Sequence, residues 1–554
     1  MAARIFSVWN IIFFMALLII FLFVIYPMGS IFLASLRDPF TNELTSQNYT
    51  SLFTTPFYWR CLSNSLSMSF AASIFSVLIG VPFAYFTSRF VMPLTTTFRT
   101  FATLPLVLPS FIGAQAWLLL LGKSGIITTF LAPVFSLFGM GQPSIYGWHG
   151  VVLVFTMSYF PFVVLMVSAA INSVDSSLEE AALNLGSTPW RVFHTVTLPV
   201  ITPAIASGAL MVFCMSVENF GVPSIIGGDY KVISEQAYAE FINEMGGNPS
   251  MAGSLSIVLV LITLVFTVLQ KGFVERKNYT MSSLRPPAKK ELTPLRRWLS
   301  WLYCLIVVIV ALMPFAMVFI AAFTKTSGPV LHYGEFSMAN IAQAIQIAPR
   351  PILNSFFLST VATLIGMLFG VVSSYLIVRR KGIAGYALDL ASMLPLIIAG
   401  SVLGIALAAT YNSPPVILTG TWGILVMAYF IRKVPFSIKT TSSLLMQIDQ
   451  SVEEASINLG VPPFKSFLKV VIPTMIPGII AGAVLMWVTI IAELSSTIVL
   501  YYGPWSTMTV QIYQYISSGD FGPASAYGFI LIMSVLVPIF LLNRLMGRDF
   551  TTSV

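Results

Sequence analysis

Residues 175–199 read DSSLEEAALNLGSTPWRVFHTVTLP, and residues 449–473 read DQSVEEASINLGVPPFKSFLKVVIP. One constant shift, from 180 to 454, aligns Glu180 with Glu454, Ala181 with Ala455, Asn184 with Asn458, Gly186 with Gly460 and Pro199 with Pro473. Ala182 meets Ser456 instead. Outside these stretches the same shift matches Pro161 with Pro435, Pro203 with Pro477 and Gly208 with Gly482. Chance does not hold so many identities in register, so the chain carries an internal duplication.

The repeated stretch dictates its own local structure. Ser177 and Ser451 each precede Glu180 and Glu454 by three positions, the spacing of a capping box that starts a helix. Gly186 and Gly460 suit the left-handed residue that ends a short helix, and Pro189 and Pro462 or Pro463 suit the first turn of the next. The expected product is a short helix, a sharp turn, and a second helix lying across a membrane face and ending at Leu198-Pro199 or Ile472-Pro473.

That a membrane is present follows from composition. The chain is 57% hydrophobic and 9% charged, whereas soluble domains carry roughly 25% charged residues. Apolar runs of about 20 residues recur near 10–36, 64–88, 100–121, 150–172, 201–225, 252–270, 298–323, 354–378, 386–410, 421–445, 474–500 and 524–543. The expectation is an all-α polytopic membrane protein of about twelve transmembrane helices. The run at 421–445 contains Arg432, Lys433 and Lys439, so its cytoplasmic end is expected to come early or to be wet.

A second shift, from 64 to 354, aligns Asn64-Ser65 with Asn354-Ser355, Gly80 with Gly370, Tyr85 with Tyr375, Arg89 with Arg379 and Leu104-Pro105 with Leu394-Pro395. The change of shift places extra residues of the first half within 122–149. Six spans per half give the halves one orientation, a parallel repeat. The polar, proline-bearing stretch 272–296 divides them, giving a first half at 1–271, a cytoplasmic linker at 272–296 and a second half at 297–554.

Lys and Arg concentrate in the short loops of one side: Arg4, Arg89, Arg191, the linker set, Arg379, Lys465, Lys469 and Arg544 among them. The positive-inside rule makes that side, and with it both termini, cytoplasmic. A net charge of +8 then needs no nucleic-acid partner, since basic loops facing anionic membrane lipid account for it. The first apolar run is too long for a signal-peptide core and lacks a small-residue cleavage site, so it is expected to remain as an uncleaved helix. Cys61, Cys214 and Cys304 are odd in number and lack metal-ligand spacing, so they read as buried small hydrophobes, and neither a metal site nor any cofactor is expected. Gly122-Lys123-Ser124 would need a glycine at 117 to form a phosphate-binding loop, and that residue is Trp117.

The Glu-Ala-Ala, Gly and Pro pattern of the repeated stretch resembles the coupling loop of bacterial ABC importer permeases, in which two such halves form the type I importer fold. That resemblance implies a transport subunit of the inner membrane with no catalysis of its own. It implies two copies of a cytoplasmic ATPase, seated on Glu180, Ala181, Ala182, Gly186 and Pro199 and on Glu454, Ala455, Gly460 and Pro473, and an extracytoplasmic substrate-binding protein. Leu183, Leu185, Ile457 and Leu459 would enter grooves on those ATPases. Alternating access, driven by ATP at the loops, is the implied mechanism.

Ionisable residues inside a membrane mark pathways. Glu218 and Glu493 fall one position out of register in equivalent helices, and with Asn219 and Ser495 they are the expected lining of the translocation path. If the path handles a cation their negative charge would attract it, and if it handles an anion they should lie off the path or be paired. The segments after them resemble those of fused permeases for ferric iron, and nearly as well those for a phosphonate such as 2-aminoethylphosphonate or another phosphorylated organic compound. Thiamine permeases share the fused layout. Ferric iron is the favoured solute. A secondary transporter would show parallel halves but has no need of the repeated loop. A membrane enzyme would need a convergent catalytic set, and His149, His194 and His332 lie far apart in unlike contexts.

Overall fold

Apolar segments that cross a bilayer must satisfy their backbone groups internally, which leaves the helix as the default. The chain follows that constraint in a computed structural model, which describes residues 8–38, 41–137, 144–174, 176–243, 247–276, 289–328, 330–379 and 382–546. Ten helices among them are long and apolar enough to cross a membrane, from Trp9–Ser35 to Phe521–Leu542. An eleventh span is the pair Gly385–Ile397 and Gly400–Thr410, bent by 102°. The helix Trp422–Gln447, at the place of the expected tenth span, is as long as its counterpart Trp148–Ser173 but falls short of that apolar measure, because it carries Arg432, Lys433 and Lys439. One small departure from an all-α chain is an antiparallel hairpin, Thr324–Ser327 with Val330–Phe336.

Two expected spans are broken rather than straight. In the first half, the stretch expected at 100–121 is a helix at Thr95–Thr103, a tight turn at Leu104–Leu106 and a second helix at Ser110–Leu121. Pro105 and Pro109 supply no N–H to a helix, and Pro109 is extended at ψ 130°. The second half breaks at the matching place, after Pro395, where Ile398 and Ala399 are extended.

Each half is built on three mutually packed helices. In the first these are Pro56–Arg89, Trp148–Ser173 and Leu198–Val217; in the second, Arg350–Arg379, Trp422–Gln447 and Ile472–Ile491. Small residues set the close approaches: a Cβ on Gly80 would press on Val163, and one on Gly370 would press on Ser437. The halves interlock. The first helix of the chain lies against Arg350–Arg379 and Gly400–Thr410 of the second half, where the Tyr411 hydroxyl donates to the Leu22 carbonyl at 2.6 Å. Reciprocally, Pro294–Ala322, the first helix of the second half, packs on Ser110–Leu121, and the Tyr303 hydroxyl donates to the Ile79 carbonyl at 2.8 Å.

Candidate functional sites

The two repeated loops fold alike. Short helices run from Ser176 to Asn184 and from Gln450 to Asn458. Gly186 and Gly460 follow at φ 83° and 88°, where a Cβ would meet nothing but would strain the backbone. Ser187 N–H then donates to the Ala182 carbonyl, and Val461 N–H to that of Ser456, closing both helices by one pattern. The start differs from expectation in the second copy, where Asp449 and not Ser451 is the cap: its carboxylate accepts from Ser451 N–H at 2.9 Å. The matching Asp175 lies outside the described residues.

Glu180 and Glu454 are exposed, as are Ala181, Ala455, Pro199 and Pro473, while Ala182 is half-buried. Gln450 donates to Glu454 at 2.9 Å. Leu185 and Leu459 are 87% and 85% exposed, and Trp190 is 72% exposed. Trp190 packs on the rings of Phe193 and His194, while Leu185 and Leu459 stand at matching places on the two loops.

The neighbouring acids, not singled out by sequence, do the anchoring. Glu179 is buried, with Arg89 at 2.6 Å, Lys290 at 2.9 Å and the Thr197 hydroxyl donating at 2.8 Å. Burial pushes its pKa up, but the hydrogen bonds from Lys290 and Thr197 and the charge of Arg89 outweigh it and hold the carboxyl below its usual range. Glu453, its counterpart, is also buried and takes Arg379 at 3.5 Å and the Tyr375 hydroxyl. Arg89 and Arg379 were already matched by one shift and the two acids by the other, a signal sufficient to have paired them.

The helix after each turn does not stop at the proline or lie across the membrane face. It continues as one helix, Pro189–Val217 and Pro463–Ile491. A π turn at Phe193–Thr197 and at Phe467–Val471 carries it past Pro199 and Pro473, with the Leu198 N–H bonded to the Phe193 carbonyl. The wider turn places the missing proline N–H without breaking the chain of bonds.

At the far ends of these two helices lie Glu218 and Glu493, on the wall of a cavity of about 240 Å³ with Asn219, Ser495, Arg432 and Lys433. Lys433 is 2.9 Å and Arg432 3.5 Å from Glu493, and Arg432 is 4.0 Å from Glu218. Two cations therefore balance two acids, which corrects one expectation and decides between two others. The cations of Trp422–Gln447 mark an internal charged layer and not an early or wet end of the helix, except for exposed Lys439, paired with Asp389 at 3.0 Å. The two acids are ion-paired and present no free negative charge. Gly400, at the break of the bent span, is pressed so closely by Arg432 that any side chain there would collide with the guanidinium.

Asn219 is the centre of a neutral network. It donates to the Ser110 hydroxyl at 2.8 Å and the Tyr159 hydroxyl at 2.9 Å, and accepts from Val222 N–H at 3.0 Å. Ser495 is half-buried on the same wall. The three cysteines are free, with Cys61 and Cys304 buried.

Residues 72–279 and 362–548 match the binding-protein-dependent transport system inner membrane component family, so the chain belongs to that family, twice over. It is a multi-pass permease subunit of an ABC importer. Among its relatives is the ferric transport system permease protein FbpB of Actinobacillus pleuropneumoniae, 26% identical over 96% of this chain and 77% of that one. The molybdenum transport system permease protein ModB of Escherichia coli K12 is 33% identical over 38% of this chain and 91% of that one. A chain of a solved bacterial alginate ABC transporter aligns with 47% of this chain and 91% of its own length, at 21% identity and a TM-score of 0.39.

Proposed function

We propose that this permease carries ferric iron across the inner membrane, receiving it from an extracytoplasmic binding protein. The observation that carries the reading is the likeness to the ferric permease over 96% of the chain, including the linker that fuses the halves. Two copies of a separate ATPase seat on the exposed faces around Glu180 and Glu454, hydrolyse the ATP, and move the helices that begin beside them. Both termini and the linker 272–296 between the halves 1–271 and 297–554 are cytoplasmic, in keeping with the basic loops of that side. Glu218, Asn219, Glu493 and Ser495 line the path, and Arg432 and Lys433 join them.

A second reading is an anionic solute. Its support is the pair of cations on the cavity wall, since a membrane-buried Arg and Lys suit an anion as readily as they balance two acids. Uptake into proteoliposomes holding the complete transporter, with labelled ferric iron, a phosphonate and molybdate supplied on its binding protein, separates the two. Iron uptake alone supports the first reading; phosphonate or molybdate uptake without iron overturns it and leaves the permease class intact.

A further inference from the structure

The two docking loops are held to the body by partly different devices, and the first uses a residue of the linker. Lys290 donates its backbone N–H to the Arg89 carbonyl at 2.8 Å, and its carbonyl accepts from Val91 N–H at 3.1 Å. This parallel bridge lays the end of the linker along the exit of the Pro56–Arg89 helix. From there its ammonium reaches Glu179 Oε2, while Arg89 and Thr197 occupy Oε1. Four residues later the chain enters Pro294–Ala322, the first helix of the second half. Both loops share an aromatic contact, Tyr85 with Phe193 at 5.0 Å and Tyr375 with Phe467 at 4.6 Å; in the second, Trp9 also stacks on Tyr375 at 4.5 Å, and the Tyr375 hydroxyl donates to Glu453 where the first loop has the Lys290 ammonium.

We propose that Lys290 is a positioning residue for energy coupling, tying the first docking loop through Glu179 to the segment that enters the second half. A push on that loop then reaches two elements at once, the helix Pro189–Val217 that the loop feeds and the helix Pro294–Ala322 behind the strap. Without the ammonium, Glu179 Oε2 loses its charged partner, and the loop can shift without drawing the second half along. The proposal rests on the reading of the loops as ATPase docking sites.

The test is Lys290→Gln in the complete transporter in proteoliposomes, reading solute imported per ATP hydrolysed beside ATPase retention and membrane level. The ratio is expected to fall about threefold to fivefold, the size of one half-exposed ion pair, with ATPase retention unchanged. Lys290→Arg should restore it, and Lys290→Gln should add nothing in a Glu179→Gln background. A normal ratio overturns the proposal, and so does loss of ATPase retention in step with uptake, which would make Lys290 part of the docking surface. If Glu180→Ala with Glu454→Ala leaves uptake intact, the docking reading fails; if that pair abolishes uptake while Lys290→Gln is silent, only the strap fails.

Discussion

Asn219 and Glu493 occupy the same position in the two repeats, and so do Tyr159 and Lys433. In the first half the pair is a neutral hydrogen bond of 2.9 Å; in the second it is an ion pair of 2.9 Å. Even the local brace is kept, since Asn219 accepts from Val222 N–H and Glu493 from Ser496 N–H, three residues on in each case. The duplicated backbone thus preserved one contact while its chemistry diverged from neutral to ionic. Glu218 has no acidic counterpart, for the same shift places Ala492 opposite it. It stands where the first half can answer the surplus cation, Arg432, whose own counterpart is Ser158.

The sharpest way to break this comparison is Glu493→Gln, which leaves two cations facing one acid in a buried site. Removing one partner of such a set costs about 3–5 kcal/mol, so thermal unfolding of the purified protein should fall markedly and uptake should vanish. Converting the second half to the chemistry of the first, Glu493→Asn with Lys433→Tyr, should recover more stability than either single change. A double variant as unstable as the worse single one would show that the two contacts are not interchangeable.

At the docking loops the halves are expected to act alike, in contrast to the pathway. Glu180→Ala with Glu454→Ala should abolish uptake and loosen ATPase retention at normal membrane levels, and each single change should be milder. Counting ATPases by mass measurement of the complex tests the same equivalence, with two per chain expected.

Glu218→Gln removes the longer pair, 4.0 Å from Arg432. Its cost should be smaller, because the pair is longer, read as a lesser drop in unfolding temperature than that of Glu493→Gln. Smallest is the response to acid. Because the Glu179 carboxyl is held below its usual range, its stabilising contribution is complete above the ordinary carboxylate pKa near about 4.3 and is lost only as pH falls through the lower folded value. Loop anchoring should be flat from neutral pH to about 5; amide exchange of Ser176–Asn184 measured across that range, beside Glu179→Gln, checks it.

The duplication, the spans and the loop turns were legible because they rest on local signals: residue spacing, apolar length and the glycine at positive φ. What lay beyond the sequence depended on distant partners. Arg432 and Lys433 find Glu493 some sixty residues away along the chain, and nothing in the span 421–445 alone distinguishes a buried charge layer from a wet end. Pairing Glu218 with Glu493 by residue type concealed Asn219, the partner in register. Pro199 and Pro473 read as helix ends because proline removes a donor, and only the folded backbone shows the π turn that absorbs the loss.

That uninterrupted helix has a mechanical consequence. At 1.5 Å per residue, the 29 residues of Pro189–Val217 make a rod of about 43 Å, with Leu185 just before one end and Glu218 just after the other. Its weak points, the π turn at Phe193–Thr197 and Pro203, lie towards the loop end. A tilt of about 5° imposed at the loop would swing the far tip by about 4 Å, as far as the 4.0 Å between Arg432 and Glu218. A rigid tilt of this helix would turn a slight rocking at the loop into a change in the spacing of the charges around Arg432.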